Sequence, residues 1–212
     1  MDGHPTFIWL LWIWATVWAV VTLVISAWFC IGIPAAIAYA KRFDYRGSWW
    51  ALYVLGLHAA LAPVYRNLRN SGSTERSLSR LISLVYQVLT LPTGAEIPLG
   101  AKVGRGLLLG HTVGVVLNAL AVVGEYCVIT PGVVVGGDGR GGAPVIGGNV
   151  YIGANAVIAG QIVVGQSATI GACTVVTSDI IPFALVVGNP GVVVKENYRR
   201  SYHNYAKEAG CD

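Results

Sequence analysis

The sequence predicts a mainly β protein in which short parallel strands form a three-sided prism, preceded by an α-helical transmembrane or interfacial region. Three observations carry this prediction. An aliphatic residue recurs at steps of six through the second half of the chain, glycine is concentrated there, and the segment from Gly3 to Ala40 contains no Asp, Glu, Lys or Arg. Of the 27 glycines, 21 lie between Gly94 and Gly191. The chain therefore divides near residue 93 into two parts of different physical character.

The bulk composition narrows the classes of function. Hydrophobic residues make up 55% of the 212 residues and charged residues 11%, whereas ordinary globular domains carry about 25% charged residues. The net charge of +4 is modest and dispersed, which argues against a nucleic-acid partner. The four cysteines form no CxxC motif and no cluster with histidine. They therefore indicate neither a zinc site nor a disulfide framework.

Residues 1–46 are predicted to form a transmembrane helix and its basic flank. The run TFIWLLWIWATVWAVVTLVISAWF is apolar throughout, and about 20 such residues span a bilayer. The basic segment KRFDYR follows at 41–46, which predicts an external amino terminus and a cytoplasmic Lys41. A buried helix of a soluble domain stays open as the alternative.

Residues 47–93 are predicted to contain interfacial or re-entrant helices and a connector. The apolar stretch at 49–65 is short, is interrupted by His58 and Pro63, and has basic residues on both sides. Such a stretch favours a helix lying at the membrane surface, with a second crossing as the alternative. The polar segment RNLRNSGSTERSLSR follows as a connector, and LISLVYQVLTLP has the character of a last helix.

The second part is a six-residue repeat. Neither a helix, with a period of 3.6, nor an alternating strand, with a period of 2, explains such spacing. A prism does, because each hexapeptide supplies one flat face and one corner, its aliphatic residue fills the interior and a following glycine eases the turn. Three hexapeptides complete a coil, so residues 95–181 predict about five coils. The interior positions predicted by this phase are Ile97, Val103, Leu109, Val116, Val122, Val128, Val134, Ile146, Ile152, Ile158, Val164, Ile170 and Val176.

His111 lies in the single step of seven, between Leu109 and Val116. An extra residue there predicts a bulge, and bulges commonly re-aim a side chain. Spacing alone leaves a structural histidine and a functional one equally open. Glu96, taken alone, fits a solvated corner residue as well as a site residue.

The repeats resemble the left-handed parallel β-helix of the hexapeptide-repeat acyltransferases, over residues 94–195. The stretch from GAEIPLGAKVGRGLLLGHTVG through VVVGGDGRGGAPVIGGNVYIGANAVIAG, followed by VVGNPGVVVK, is similar to the serine acetyltransferases in particular. The resemblance implies an O-acetyltransferase that uses acetyl-CoA as co-substrate and assembles as a homotrimer, with active sites between subunits. Residues 196–212 form a C-terminal tail.

The resemblance also implies roles for individual residues. His111 matches the family's general base, and Glu96, fifteen positions earlier, matches the acidic residue that orients it. The resemblance implies no metal; a zinc-dependent β-helix enzyme would need three histidine ligands, and His111 is the only histidine of residues 94–195. The positions that match the family's acetyl-CoA site are Gly136, Gly137, Ala154, Ala172 and Lys195.

Three positions depart from the family pattern. Gly142-Ala143-Pro144 stands where the family has Arg-His before the proline, Gly110 replaces an aspartate before the histidine, and Thr169 replaces a basic residue. A site that reads an amine and a carboxylate needs polar partners for both. The losses and the apolar amino-terminal run therefore favour an acceptor other than free serine.

The favoured function is accordingly a membrane-anchored O-acetyltransferase acting on a hydroxyl of a sugar or lipid-linked glycan. It predicts a location at the inner cell membrane, in contact with membrane lipid, with the β-helix facing the cytoplasm where acetyl-CoA is found. Two alternatives stay open. One is a serine O-acetyltransferase, and the other is a non-catalytic β-helix scaffold subunit of a membrane complex.

Overall fold

The computed structural model describes residues 33–43 and 49–199, together with seven separate positions between 15 and 30. Most of the apolar run that was predicted to cross a bilayer lies outside the described residues, as do residues 200–212 of the tail. Among the helices of the described part, none combines the length and the apolarity needed to span a membrane.

Three helices precede the strands. They are α1 (Ile33–Phe43), α2 (Trp49–Arg69) and α3 (Ser73–Thr90), and a 3-10 turn (Leu91–Thr93) follows α3. Helix α2 is longer than the apolar stretch that predicts it, and α3 begins inside the predicted polar connector. The connector proper is therefore only residues 70–72, because serine and charged residues occupy the exposed face of a helix as readily as a loop.

The helices close the first end of the prism. Ala51, Val54 and Leu55 of α2 are almost fully buried and belong to the same hydrophobic core as Leu107 and Leu109 of the first coil. A stack of coils leaves an apolar end that needs a cover. The apolar face of α2 supplies that cover here.

Fourteen short strands form three sheets, whose orders are β1-β4-β7-β10, β2-β5-β8-β11-β13-β14 and β3-β6-β9-β12. All neighbours pair in parallel except β13 and β14, which pair antiparallel. Successive strands fall on successive faces, which gives a parallel β-helix of five coils. The strands are β1 (Lys102–Val103), β2 (Leu108–Leu109), β3 (Val116–Leu117), β4 (Val122–Val123), β5 (Val128–Ile129), β6 (Val134–Gly136), β7 (Val145–Ile146), β8 (Tyr151–Ile152), β9 (Val157–Ala159), β10 (Val163–Val164), β11 (Thr169–Ile170), β12 (Val175–Val176), β13 (Leu185–Val187) and β14 (Val192–Lys195).

The interior aliphatic residues stack from coil to coil, and four of them were predicted one position too early. Within β3 to β6 the second residue is buried and the first is half-buried, so the interior residues are Leu117, Val123, Ile129 and Val135. Both residues of each pair are aliphatic, so hydrophobicity does not distinguish them. The step after Leu109 is therefore eight residues, one more than the sequence pattern predicted.

The glycine that follows many interior residues has a different reason from the one predicted. At Gly124 a Cβ atom would lie 2.5 Å from the carbonyl carbon of Gly147 in the next coil, so close stacking of coils demands glycine there. The left-handed backbone at the corners is instead carried by residues such as Asn149 and Asn155, with φ of 60° and 59°. Asparagine tolerates this region better than most residues.

Candidate active site

His111 lies on the segment 110–115, which joins β2 on one face to β3 on the next. The segment leaves the regular ladder after Gly110, whose N–H still donates to the carbonyl of Ile129 at 3.0 Å. It returns at Val116, whose N–H donates to the carbonyl of Val133 at 2.9 Å. The His111 side chain between these points is exposed. The extra residues therefore lengthen the corner between two regular strands instead of bulging a strand, and they present the imidazole to solvent.

Glu96 begins the first coil, directly beside the end of that segment. Its N–H donates to the carbonyl of Val115, and its own carbonyl accepts from the N–H of Leu117, both at 2.8 Å. The backbones that carry Glu96 and His111 therefore run together at one corner of the prism. Both side chains are exposed, and the structure records no hydrogen bond between them within its described residues.

Hydrogen bonds connect the segment that carries His111 to the residues just before Glu96. Thr112 donates its hydroxyl to the carbonyl of Thr93 at 2.5 Å, and both threonines are buried. Two residues on, the N–H of Gly114 donates to the carbonyl of Gly94 at 2.9 Å. The sequence analysis singled out neither threonine. The irregular step was the only available indication that this corner would need bonds from side chains.

A cavity of about 370 Å³ adjoins Glu96, between the end of α3 and the first coil. Its lining combines apolar atoms with side chains that can hydrogen-bond, so a small polar molecule could reach the Glu96 carboxylate from this side. The lining includes Tyr86, Gln87, Thr90, Glu96, Pro98 and Val116.

A groove of about 720 Å³ runs along the outer face of β8, β11 and β13, and it brings two of the predicted cofactor residues together. Ala154 and Ala172 both line it, in adjacent coils. The N–H of Cys173 donates to the carbonyl of Ala154 at 2.8 Å, which fixes the spacing of these coils. Small side chains at both positions leave room for an extended ligand.

Thr169 lies in the wall of the same groove. Its hydroxyl is buried and has no hydrogen-bond partner within the described residues. Because the hydroxyl oxygen is inaccessible to solvent, Thr169 contributes to the shape of the wall. Thr130 marks the end of the groove nearest the first coil, and a Cβ atom on Gly110 would lie 4.0 Å from its Cγ2. The groove therefore ends one coil from the His111 segment.

The other predicted cofactor residues lie elsewhere. Lys195 is near the far end of the groove, since its Nζ is 5.8 Å from the ring centroid of Tyr198, which lines the groove. Gly136 ends β6 and pairs with Ala159, and Gly137 follows it at a different corner. Neither glycine lines the groove within a single chain.

The loop after Gly137 is closed by Asp138. The Asp138 carboxylate accepts hydrogen bonds from the N–H groups of Arg140 and Gly142, at 2.7 and 2.9 Å. These bonds lower the pKa of the Asp138 carboxyl. A Cβ atom at Gly142 would lie 2.6 Å from the Cβ of Gln161. The short loop therefore leaves no space for a large side chain where the family pattern has arginine.

His58, the histidine that interrupts the apolar stretch, is buried in α2. Its Nε2 lies 3.3 Å from the carbonyl oxygen of Pro98, two residues after Glu96. Burial, together with the nearby charge of Arg66, lowers the pKa of His58 from 6.5 to about 4. The imidazole is therefore neutral at physiological pH and ties α2 to the first coil.

Comparisons with known proteins identify the repeats and the relatives of this chain. The model of the bacterial transferase hexapeptide family (six repeats) matches residues 143–178. A serine acetyltransferase of Staphylococcus xylosus is 35% identical over 152 residues, which cover 70% of this chain and 70% of that protein. One from Synechococcus elongatus is 40% identical over 120 residues, 55% of this chain, but the match spans only 48% of that protein.

Comparison with solved structures also finds serine acetyltransferases. The serine acetyltransferase of Neisseria gonorrhoeae superposes with a TM-score of 0.64 at 29% identity, covering 81% of this chain and 69% of that one. Soybean serine acetyltransferase in complex with serine gives 0.63 at 29% identity, covering 76% and 68%. These likenesses confirm the left-handed parallel β-helix and the acyltransferase class.

Two predictions are wrong. The relatives are serine acetyltransferases, so the predicted sugar or lipid-linked glycan acceptor is overturned in favour of the alternative, and membrane lipid is unsupported as a partner. The predicted inner-membrane location is overturned by the same relatives. The acceptor had been inferred from the apolar amino-terminal run together with the missing charged residues at Gly110 and Gly142-Ala143, and the location from the apolar run and its basic flank.

Proposed function

The chain belongs to the serine acetyltransferase family, and from that premise we propose that it transfers the acetyl group of acetyl-CoA to the hydroxyl of L-serine. The observation that carries the proposal is the placement of His111 and Glu96 on backbone segments paired at one corner, at the end of the groove lined by Ala154 and Ala172. A base, its orienting carboxylate and a channel for a thioester are the parts that such a transfer needs.

His111 acts as the general base in this proposal. Its imidazole removes the proton of the serine hydroxyl as the oxygen attacks the thioester carbonyl, which contributes about 10² to 10⁴-fold to the rate. The C–S bond then breaks, and the departing thiolate of CoA takes the proton back from the imidazolium. Glu96 orients the ring and stabilises the imidazolium, as a carboxylate does behind other catalytic histidines.

Acetyl-CoA would lie in the groove with its thioester towards Thr130 and its nucleotide towards Lys195. Ala154 and Ala172 leave room for the pantetheine arm. The Lys195 ammonium is suited to a phosphate at the far end.

A homotrimer would complete the site. In one chain His111 is exposed and Gly136 and Gly137 lie away from the groove. A neighbouring β-helix laid beside the groove would cover His111 and could contribute its own Gly136-Gly137 corner. Exclusion of water from the corner would strengthen the interaction between imidazole and carboxylate.

Serine is expected to bind weakly. Gly110, Gly142 and Ala143 offer no charged side chain to the amine or carboxylate of the acceptor, so those groups must be held by other residues. We therefore expect a high KM for L-serine with an ordinary KM for acetyl-CoA.

The test is formation of O-acetylserine by the purified protein from acetyl-CoA and L-serine, with release of free CoA thiol measured in parallel. We expect both products in equal amounts and their loss in His111→Ala. Thiol release that depends on another hydroxyl compound and not on L-serine would overturn the acceptor. Transfer that survives His111→Ala would overturn the assignment of the base.

A further inference from the structure

A chain of buried threonine hydroxyls joins the end of α3 to the segment that carries His111. Thr112 donates to the carbonyl of Thr93 at 2.5 Å. The hydroxyl of Thr93 donates to the carbonyl of Thr90 at 2.6 Å, and that of Thr90 donates to the carbonyl of Tyr86 at 3.0 Å. All three threonines are buried, at 3 to 5% exposure. These three hydrogen bonds, each from a threonine hydroxyl to a backbone carbonyl, therefore connect the last turn of α3 to the irregular corner.

The corner needs this support because the regular ladder is interrupted there. Between Gly110 and Val116 the backbone is not part of a strand, since the step from Leu109 to Leu117, the inward-facing strand residue of the next face, is eight residues long. Three hydrogen bonds tie it to the preceding segment: the Thr112 hydroxyl donates to Thr93, the Gly114 N–H donates to Gly94, and the Val115 carbonyl accepts from the N–H of Glu96. The first of these lies one residue from His111.

We infer that Thr112, held by Thr93, is the residue that positions His111 for proton transfer; this rests on the proposed function. The exposed imidazole has no hydrogen bond of its own within the described residues, so its place is set by the backbone on either side. Glu96 is three residues after Thr93 and is bonded to Val115. The Thr112–Thr93 bond therefore sets the distance between the base and its carboxylate.

Thr112 acts through His111 and not on substrate. It lines neither the cavity beside Glu96 nor the groove, and its hydroxyl is already engaged. A change there should alter the rate of the chemical step and leave the binding of both substrates unchanged. Misplacement of a catalytic group by about 1 Å can cost on the order of 10²-fold in rate.

The experiment compares Thr112→Val, which keeps the shape and removes the hydroxyl, with Thr112→Ser, which keeps the hydroxyl. We expect kcat to fall tenfold or more in the valine variant, with both KM values unchanged, and to recover in the serine variant. Thr174→Val is the matched control, because Thr174 is a fully buried threonine whose hydroxyl has no partner within the described residues. Its kcat should stay at the wild-type value.

Two results separate the inference from the proposed function. If His111→Ala is inactive and Thr112→Val keeps the wild-type kcat, the positioning role is overturned while the general base stands. If serine does not restore the rate, the loss came from packing and the hydroxyl has no such role. If Thr112→Val does not fold, Thr112→Cys, whose thiol is only a weak donor, carries the same expectation and the same contradiction.

Discussion

Glu96 pairs with Val116 in an isolated parallel bridge outside the named strands. The bridge starts the first coil and binds it to the point where the second coil resumes after His111. A residue fifteen positions before the histidine is thereby brought beside the corner that carries it. Parallel coils make such pairings possible, because each turn of the prism returns the chain to the same face.

Loss of charge at Glu96 should lower the rate without unfolding the protein. Glu96→Gln keeps the size of the side chain but cannot stabilise an imidazolium, so we expect kcat to fall about tenfold to a hundredfold. The fall in kcat is measured by steady-state kinetics of O-acetylserine formation.

Glu125→Gln is the matched control for that change. Glu125 is an exposed carboxylate whose Oε2 lies 2.9 Å from Nε of Arg105, and surface pairs of this kind contribute little. Its kcat should match the wild type. Equal losses in both variants would contradict a specific role for Glu96.

A larger side chain in the groove should weaken the binding of acetyl-CoA. Ala172→Leu would fill space between adjacent coils on the wall of the groove, so we expect the KM for acetyl-CoA to rise about tenfold or more with little change in Tm. Val145→Leu, at an exposed position on another face, is the control. An unchanged KM in Ala172→Leu would place the cofactor elsewhere.

Stability should depend on pH through His58. Burial lowers its folded pKa to about 4 from 6.5, so between these values the unfolded state binds more protons. The free energy of unfolding should therefore be highest above pH 6.5 and should fall as the pH decreases towards 4, by at most about 3 kcal/mol.

His58→Gln tests this dependence, because glutamine keeps a donor for the Pro98 carbonyl and does not titrate. We expect the slope of unfolding free energy against pH between 4 and 6.5 to diminish in the variant, as measured by denaturant unfolding. An identical slope in both proteins would show that other groups carry the dependence.

Close stacking of coils should make certain glycines intolerant of a single methyl group. In Gly124→Ala the new Cβ would lie 2.5 Å from backbone of the next coil, whereas in Gly136→Ala its nearest neighbour would be 4.0 Å away. We expect Gly124→Ala to lower the free energy of unfolding by about 1–3 kcal/mol or more and Gly136→Ala to leave it nearly unchanged. Equal Tm values for the two variants would contradict the stacking explanation.

The repeat could be recognised from sequence because its period is a local property. A buried aliphatic residue every six positions, with small residues such as Ala156 and Ala168 four places on, belongs to one architecture, and both alanines are fully buried. The phase within β3 to β6 could not be read in the same way. Val116 and Leu117 are equally apolar, and only pairing with the next coil determines which one faces inward.

The functional predictions also divided, into a reaction class that the sequence predicted and an acceptor that it did not. The spacing of Glu96 and His111, with the resemblance of the flanking repeats, was sufficient to predict an acyltransferase. The apolar first segment and the missing charges at Gly110 and Gly142 pointed to the wrong acceptor, because composition does not identify a substrate.

The sequence by itself determined the hexapeptide architecture and the number of coils, since both depend on residue type at a fixed spacing, whereas the residues proposed for the chemistry came from the resemblance of the repeats to the serine acetyltransferases. Only the tertiary structure decided which aliphatic residues are interior, that α2 closes the first coil, and that Ala154 and Ala172 share a groove while Gly136 does not. It also revealed the bond from Thr112 to Thr93. These features join residues that are distant in the chain, and contacts of that kind exist only after the coils have stacked.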